Sequence, residues 1–342
     1  MMTHPIRVGL MGFGRIGRNV FRQLEDHPDI EVTAIADIAD PAALVYLLEF
    51  DTIFGRFPGD VELDGSDLVV DGRRVPIVTG ADPGDIDWGA HGIDIVVQAT
   101  RKHRTLAECR RHIEAGASKV VLASTPEDWN EMDTLIVGVN DEVLGPDDDV
   151  VALGSNTSNA LGPVLRVIDK NFGLDRAMFT VVHAFTNEQR LADVPGGDLR
   201  MSRAAAENII PAATNSPEIV EKVMPELAGK LSGIALNVPV ADGSNIDLVA
   251  FIDKATTPED LNAVMQQAAD STDVIGYTDD PIVSSDVIGS THSAVWDGQA
   301  AMVIDGTMIK AILWFDNGWG YAARVVDVIG RMAAFATEGA SA

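Results

Sequence analysis

Ile6-Arg7-Val8-Gly9-Leu10-Met11-Gly12-Phe13-Gly14-Arg15-Ile16-Gly17 is the stretch that decides how this chain folds. Its first six residues form an apolar run suited to a buried parallel strand. After the glycines, Ile16, Val20, Phe21 and Leu24 recur at the three- and four-residue spacing of a helix. Val32-Thr33-Ala34-Ile35-Ala36-Asp37 then reads as a second strand. Strand, glycine turn, helix and strand within about thirty residues make a βαβ unit. In such a unit Gly12 permits the tight turn, Gly14 lets backbone approach a pyrophosphate, and Gly17 lets helix pack on strand. The helix N-terminus supplies free N–H groups and partial positive charge. A glycine hexad alone is compatible with a turn that binds nothing. Here Asp37 stands twenty residues past Gly17, at the end of the second strand, where a carboxylate accepts hydrogen bonds from an adenosine ribose. This context favours dinucleotide binding. Asp37 would repel a 2′-phosphate, so NAD is expected over NADP.

Outward from that unit, Pro41–Phe50 reads as a helix and Val61–Val78, with Asp64-Gly65 and Asp71-Gly72 turns, as an antiparallel hairpin region. Ile93–Gln98 and Lys119–Ala123 are apolar strands flanking a helix over Thr105–Ala115. The first ~150 residues thus alternate strand and helix, as a doubly wound α/β sheet does. The second half is different. A helix over Asn159–Asn171 precedes long strands at Ala177–Phe185, Gly233–Val238, Ile246–Ile252 and Met308–Phe315, with a long polar segment at Asn187–Ala204. Thr257-Pro258-Glu259-Asp260 opens a capped helix, and Tyr321–Phe335 is a closing helix. Few helices separate these strands, so an α+β, largely antiparallel domain is expected. At about 100–200 residues per domain, 342 residues also favour two domains.

Composition narrows the function classes. Hydrophobic residues make up 46% and charged residues 23%, the mix of a globular protein. With 25 Lys and Arg against 52 Asp and Glu, the formal charge is −27, so nucleic acid and anionic membranes are poor partners. No stretch reaches the ~18 apolar residues of a membrane span, and Arg7 with the glycine cluster spoils a signal-peptide layout. The single cysteine, Cys109, excludes an internal disulfide and a cysteine-based zinc cluster, and no metal is expected. Cytoplasmic location follows as the default. Cys109 shares a helical face with Leu106 and Ile113, which points to core packing.

Further segments carry a family resemblance: Gly55-Arg56-Phe57, Gly138-Val139-Asn140, Val182-His183-Ala184, Asn208-Ile209-Ile210-Pro211, Pro225-Glu226-Leu227, Gly229-Lys230-Leu231, Trp314-Phe315-Asp316-Asn317 and Gly320-Tyr321. With the glycine turn and Arg18, their order and spacing resemble the glyceraldehyde-3-phosphate dehydrogenase family over nearly the whole chain. The resemblance implies a Rossmann NAD-binding domain over 1–154 and 318–342, closed by a returning C-terminal helix, and a largely antiparallel catalytic domain over 155–317. It implies a small-molecule substrate, a homotetramer, and cofactor contacts at Gly12, Gly14, Arg15, Ile16, Gly17, Asp37, Thr100, Ser124, Asn317 and Tyr321. His183 falls where the family has its proton-handling histidine; read without the motif, a lone histidine beside Phe179, Val181 and Phe185 would be a core residue.

The departures from the family are as informative. Its nucleophilic cysteine sits in Ser-Cys-Thr-Thr-Asn at a helix start; the matching stretch here is Ser155-Asn156-Thr157-Ser158-Asn159, with Asn156 at the cysteine's place. An amide is no nucleophile, so thioester and acyl phosphate are not expected by that route, although it can hydrogen-bond a carbonyl or alkoxide oxygen. Asn237 stands where the family grips the substrate phosphate with arginine, Met11 replaces an asparagine and Ala81 an arginine. Thr186 is retained as a phosphate contact, and Ser155, Thr157 and Thr214 resemble the second anion site. Thr100-Arg101-Lys102-His103-Arg104 departs from the family's Thr-Gly near the cofactor and is out of character in an acidic chain; Arg101 and Arg104, joined by Arg200, are candidates to hold an anionic substrate group or the cofactor's phosphates, against a solvated helix start or pairing with surface acids. Two readings follow. One is an NAD-dependent dehydrogenase or reductase acting on an aldehyde or oxo group of a small anionic substrate through His183 and Asn156. The other is a degenerate NAD-binding homologue with a regulatory or structural role.

Overall fold

The computed structural model describes residues 5–25 and 27–339; residues 1–4 and 340–342, at the ends of the expected first domain, lie outside them. The chain divides into two compact units. One comprises the chain up to Leu135, Asp141–Gly154 and the residues from Ala322 on; the other comprises Ile136–Asn140 and Ser155–Tyr321.

In the first unit, β1 (Ile6–Met11), α1 (Arg15–Leu24) and β2 (Ile30–Asp37) are the expected βαβ unit. There follow α2 (Pro41–Glu49), a short ribbon of β3 (Phe50–Asp51) and β4 (Gly55–Arg56), then β5 (Val61–Asp64), β6 (Asp67–Val70) and β7 (Arg73–Thr79). β8 (Ile95–Gln98), α3 (Leu106–Glu114), β9 (Lys119–Leu122) and β10 (Val150–Ala152) complete it. The sheet runs β10-β9-β8-β1-β2-β7-β6-β5. It is parallel from β10 to β7 and antiparallel through β6 and β5. Asp71 and Gly72, with φ of 48° and 83°, form the two-residue turn between β6 and β7, where both positions need positive φ. Thr105 caps α3 in a reciprocal box with Glu108, and Cys109 packs in a core with Val120, Leu122 and Met132. Burial pushes its thiol up to about 12, so it is inert at neutral pH.

The second unit is built on α4 (Asn156–Phe172), β11 (Leu174–Ala184), β12 (Ile210–Ala212), α5 (Ser216–Val223), β13 (Leu231–Val238), β14 (Ser244–Ile252) and α6 (Pro258–Asp270). β15 (Ile275–Thr278), β16 (Ala294–Asp297), β17 (Met302–Ile304) and β18 (Met308–Phe315) follow; α7 (Trp319–Gly339) ends the described chain and belongs to the first unit from Ala322 on. The strand order is β12-β13-β11-β14-β18-β16-β15, with β17 on β18. The pairs are antiparallel except β11–β13 and β15–β16, which are parallel. Along β14 and β18 buried residues alternate with partly exposed ones, and α4 lies against the buried face. The short elements β12, α5 and β15 to β17 are not anticipated by periodicity, because three to eight residues hold too few repeats. Among the described residues no helix is long and apolar enough to cross a membrane.

A buried polar pair lies in the first unit. The Trp88 ring rests on bare backbone at Gly9, where a Cβ would come within 2.7 Å of it. Trp88 Nε1 donates to His112 Nδ1 at 2.9 Å, and both side chains are fully buried. The imidazole proton therefore sits on Nε2, which is buried without a partner. Burial, and secondarily the charge of His103, lowers the His112 pKa to about 4. The unfolded chain takes the proton first, so this stabilisation is complete above about pH 6.5 and is lost as pH falls towards about 4. The loss is expected to reach on the order of 3 kcal/mol at the acid end. Urea unfolding at pH 7.5 and pH 5 should show His112→Gln less pH-sensitive than the wild type; parallel pH profiles would exclude His112 as the cause.

Candidate active site

In the first unit the candidate residues gather at strand ends around the glycine turn. β1 stops at Gly12, whose φ of 97° and contact with Thr100 exclude a side chain: a Cβ there would lie 2.8 Å from Thr100 Cγ2. A Cβ at Gly17 would lie 2.2 Å from the Gly12 carbonyl oxygen, so α1 starts as close to the turn as backbone allows. At Gly14 the space is open, with no atom within 4 Å of a Cβ position. Gly14 is the N-cap residue of α1 and has no side chain to bond the first N–H groups. Arg15 and Ile16 follow as the first helical residues. This open, uncapped N-terminus fits a phosphate-bearing cofactor.

Asp37 at the end of β2 has a structural task besides the expected one. Its Oδ2 accepts from Phe13 N at 2.7 Å and its Oδ1 from Ala39 N at 3.0 Å. Each oxygen keeps a lone pair for a ribose hydroxyl. Past β9, Ser124 Oγ is buried without a hydrogen-bond partner, an orphaned hydroxyl that a ligand would satisfy. Past β8, Gln98 Nε2 donates to Thr100 Oγ1, Lys102 O and His103 O, folding residues 100–103 into a tight turn.

The basic quartet does not act as one patch. His103 Nε2 and Nδ1 face Ala81 O at 2.9 Å and Glu108 at 3.2 Å. Arg104 Nη1 donates to Thr125 O at 3.2 Å and Nη2 lies 3.5 Å from Glu127, so its charge is spent locally and not on the expected anion. Arg101 belongs to the tip of the turn, with Arg15 close enough for its charge to be felt.

In the second unit the head of α4 gathers the other candidates. Ser155 caps the helix in a reciprocal box with Ser158, with hydrogen bonds of 2.9 and 3.0 Å. Asn156 is its first residue. Asn156 Nδ2 donates to Asn317 O at 2.8 Å and approaches His183 Nε2 at 3.4 Å, while its Oδ1 accepts from Thr157 N at 2.7 Å. His183 Nδ1 lies 2.6 Å from Ala184 O, which can only accept, so the ring carries its proton there. Nε2 then holds the lone pair that faces the Asn156 amide. Phe315 stands edge-on to the ring, at 6.1 Å between centroids. Asn237 is the register partner of His183 on β13.

Two residues that the sequence did not single out complete this constellation. Ser244 Oγ accepts from Ala184 N at 3.0 Å and so donates its proton to Asn317 Oδ1, also at 3.0 Å, fixing that amide. Ser216, 1% exposed at the start of α5, bonds Ser155 Oγ at 3.2 Å and Thr214 Oγ1 at 3.0 Å, so the hydroxyls form one cluster between two helix starts. Burial of serines does not show in a sequence. Thr157 is buried beside them. Thr186 does not join: its hydroxyl bonds Gln189 and Glu188 N in a local turn. Arg200 is exposed on the 187–204 segment, where Asp198 accepts from its backbone N–H, and no hydrogen bond or ion pair joins its side chain to the cluster among the described residues. Tyr321 is buried, which raises its phenol pKa far above the ordinary value.

Comparison with known proteins shows the family. The family model of the glyceraldehyde 3-phosphate dehydrogenase NAD binding domain matches residues 6–106, and that of the C-terminal domain matches residues 155–317. Glyceraldehyde-3-phosphate dehydrogenase of Geobacillus stearothermophilus is 42% identical over 331 residues, spanning 96% of this chain and 98% of the relative. The enzyme of Streptomyces coelicolor is 43% identical over 328 residues, spanning 94% and 97%. That of Mycolicibacterium smegmatis is 40% identical over 336 residues, spanning 95% and 97%. The cofactor is NAD. Because a methyl group at position 17 cannot coexist with the Gly12 carbonyl, Gly17→Ala is expected to weaken NAD binding about tenfold or more, roughly 1.4 kcal/mol. Calorimetric titration against wild type, with circular dichroism to confirm folding, checks this; affinity within twofold would deny the turn its role.

Proposed function

The chain belongs to the glyceraldehyde-3-phosphate dehydrogenase family, an NAD-dependent oxidoreductase family, and on that footing we propose that it interconverts the oxo and hydroxyl states of a small anionic substrate without a thioester intermediate. The observation that carries the proposal is Asn156. An amide, not a thiol, heads α4 against His183 Nε2. NAD, when bound, takes or gives the hydride. The protein's share is the proton and the oxygen. On oxidation of an alcohol or a hydrated aldehyde, His183 Nε2 accepts the hydroxyl proton, while Nδ1–H stays on Ala184 O. Asn156 Nδ2 orients the reacting oxygen; its 3.4 Å contact with His183 is long and yields easily. On reduction the same imidazole returns the proton. The Ser155, Thr214 and Ser216 hydroxyls at the head of α4, with Thr157, suit the substrate's anionic group.

A second reading has its own support. The Asn156 amide is tied on both ends, to Asn317 O and Thr157 N, as a structural plug would be. In that reading the chain binds NAD and serves regulation or structure. Assembly as a homotetramer belongs to the proposal in either case. Met178, Ile234, Met302 and Ile304, each more than half exposed on β11, β13 and β17, give an apolar surface suited to self-association. A cytoplasmic location belongs to it too, as suits a protein that draws on the cell's NAD.

Wild-type protein given glyceraldehyde 3-phosphate, phosphate and NAD is expected to form no acyl phosphate. NADH absorbance with hydroxamate trapping of the product measures this, and robust acyl-phosphate formation would sink the proposal. Asn156→Cys is expected to gain an iodoacetamide-reactive thiol. It should not recover full family turnover, since the neutral Asn237 beside His183 supplies no charge for a phosphate.

A further inference from the structure

The turn after β8 is pressed against the glycine turn. Ala99 N donates to Met11 O at 2.8 Å, and a Cβ on Gly12 would meet Thr100 N at 3.1 Å. Arg101 is the next residue. Its backbone is held from both sides: Thr100 Oγ1 donates to Lys102 O at 2.9 Å, and Gln98 Nε2 donates to Lys102 O at 2.9 Å and His103 O at 3.3 Å. His103, in the left-handed region at φ 56°, anchors the far end of the turn to Ala81 O. Arg101 therefore projects from a fixed base, and little backbone entropy is lost when it engages a ligand. Arg15 is the first residue of α1, on the other side of Gly12. Burial first, and the charge of Arg15 second, lower the Arg101 pKa: two guanidinium groups repel here. Between two such groups a dianion replaces repulsion by charge-assisted hydrogen bonds. Arginine forks match phosphate oxygens, and the open face of Gly14 gives backbone access to the same group.

We propose that Arg101 is a specificity-determining residue of the cofactor site, holding the diphosphate of the dinucleotide jointly with Arg15. The inference rests on NAD binding at the glycine turn. It makes the diphosphate, and not the adenosine alone, the main handle on the cofactor. Asp37 anchors the adenosine end independently.

The test titrates the full chain with NAD, ADP-ribose and adenosine, for the wild type, Arg101→Ala, Arg101→Lys and Asp37→Asn. Arg101→Ala is expected to bind NAD and ADP-ribose about tenfold more weakly, adenosine within twofold of wild type, and NAD with a flatter dependence on salt. Arg101→Lys should recover part of the loss, since it keeps charge without the fork. Wild-type NAD affinity and salt dependence in Arg101→Ala would overturn the inference, as would an equal loss of adenosine, which would mean a collapsed turn. Asp37→Asn separates the two layers. If it weakens adenosine and NAD together, the site is where the glycine turn is; if wild type binds neither, NAD binding at the turn fails and the inference with it.

Discussion

The first unit depends on how near α1 comes to the end of β1. A single added methyl at Gly17 would lie 2.2 Å from the Gly12 carbonyl oxygen, so helix and turn meet with backbone only. That contact aims the helix axis at the open space beside Gly14. It also leaves the first N–H groups of α1 without a capping side chain. The neighbouring strand ends are organised around the same point. Asp37 from β2 takes the Phe13 N–H, and the turn after β8 packs on Gly12. A surface of bare N–H groups with Asp37 and arginines beside it suits a ligand that is itself a diphosphate joined to a sugar.

In the second unit the governing fact is what an amide does at a helix start. A thiol there would ionise under the helix dipole and a neighbouring imidazole. The Asn156 amide has no charge for that field to stabilise. It binds instead as a donor to Asn317 O and as an acceptor from Thr157 N. The dipole of α4 is left for the hydroxyl cluster of Ser155, Ser216 and Thr214, which can serve an anion. The imidazole keeps its Nδ1 proton on Ala184 O, so in the neutral ring the nitrogen facing Asn156 carries the lone pair. The proposed proton transfer needs only that nitrogen, whereas covalent catalysis would need a nucleophile that an amide does not supply.

The architecture was readable wherever residues repeat long enough to show a period: β1 to β2, the hairpins with their Asp-Gly turns, α3, β14, α6 and β18. It was unreadable where an element is too short, as for α5 and β12, or where strands pair in parallel after a long excursion, as β13 does with β11. Site residues divide in the same way. Backbone demands announce themselves as glycine, and charge as arginine. Hydroxyls do not: Ser216 and Ser244 matter because they are buried and share protons with Thr214 and Asn317. Arg104 and Thr186 mislead for the complementary reason. Their types suit an anion, yet Thr125 and Gln189 lie nearer and take their hydrogen bonds.

The formal charge of −27 raises the question of how such a chain attracts an anionic cofactor. Much of its positive charge is already committed. Arg73 pairs with Glu25, Arg111 with Asp82, Arg166 with Glu226 and Arg203 with Asp193. In ~0.15 M salt a surface charge is felt over roughly 8 Å, so distant acids on the exterior contribute little at the glycine turn. What counts is the sign of the few charges within that distance of the ligand. At the glycine turn these include Arg15 and Arg101, which repel each other, Asp37, whose oxygens are already drawn to Phe13 and Ala39 N–H groups, and Arg18, which donates to Phe13 O and feels Asp51. A diphosphate relieves the first arrangement without disturbing the second. The site can thus be locally cationic within an acidic molecule, and the overall charge is free to follow the demands of solubility.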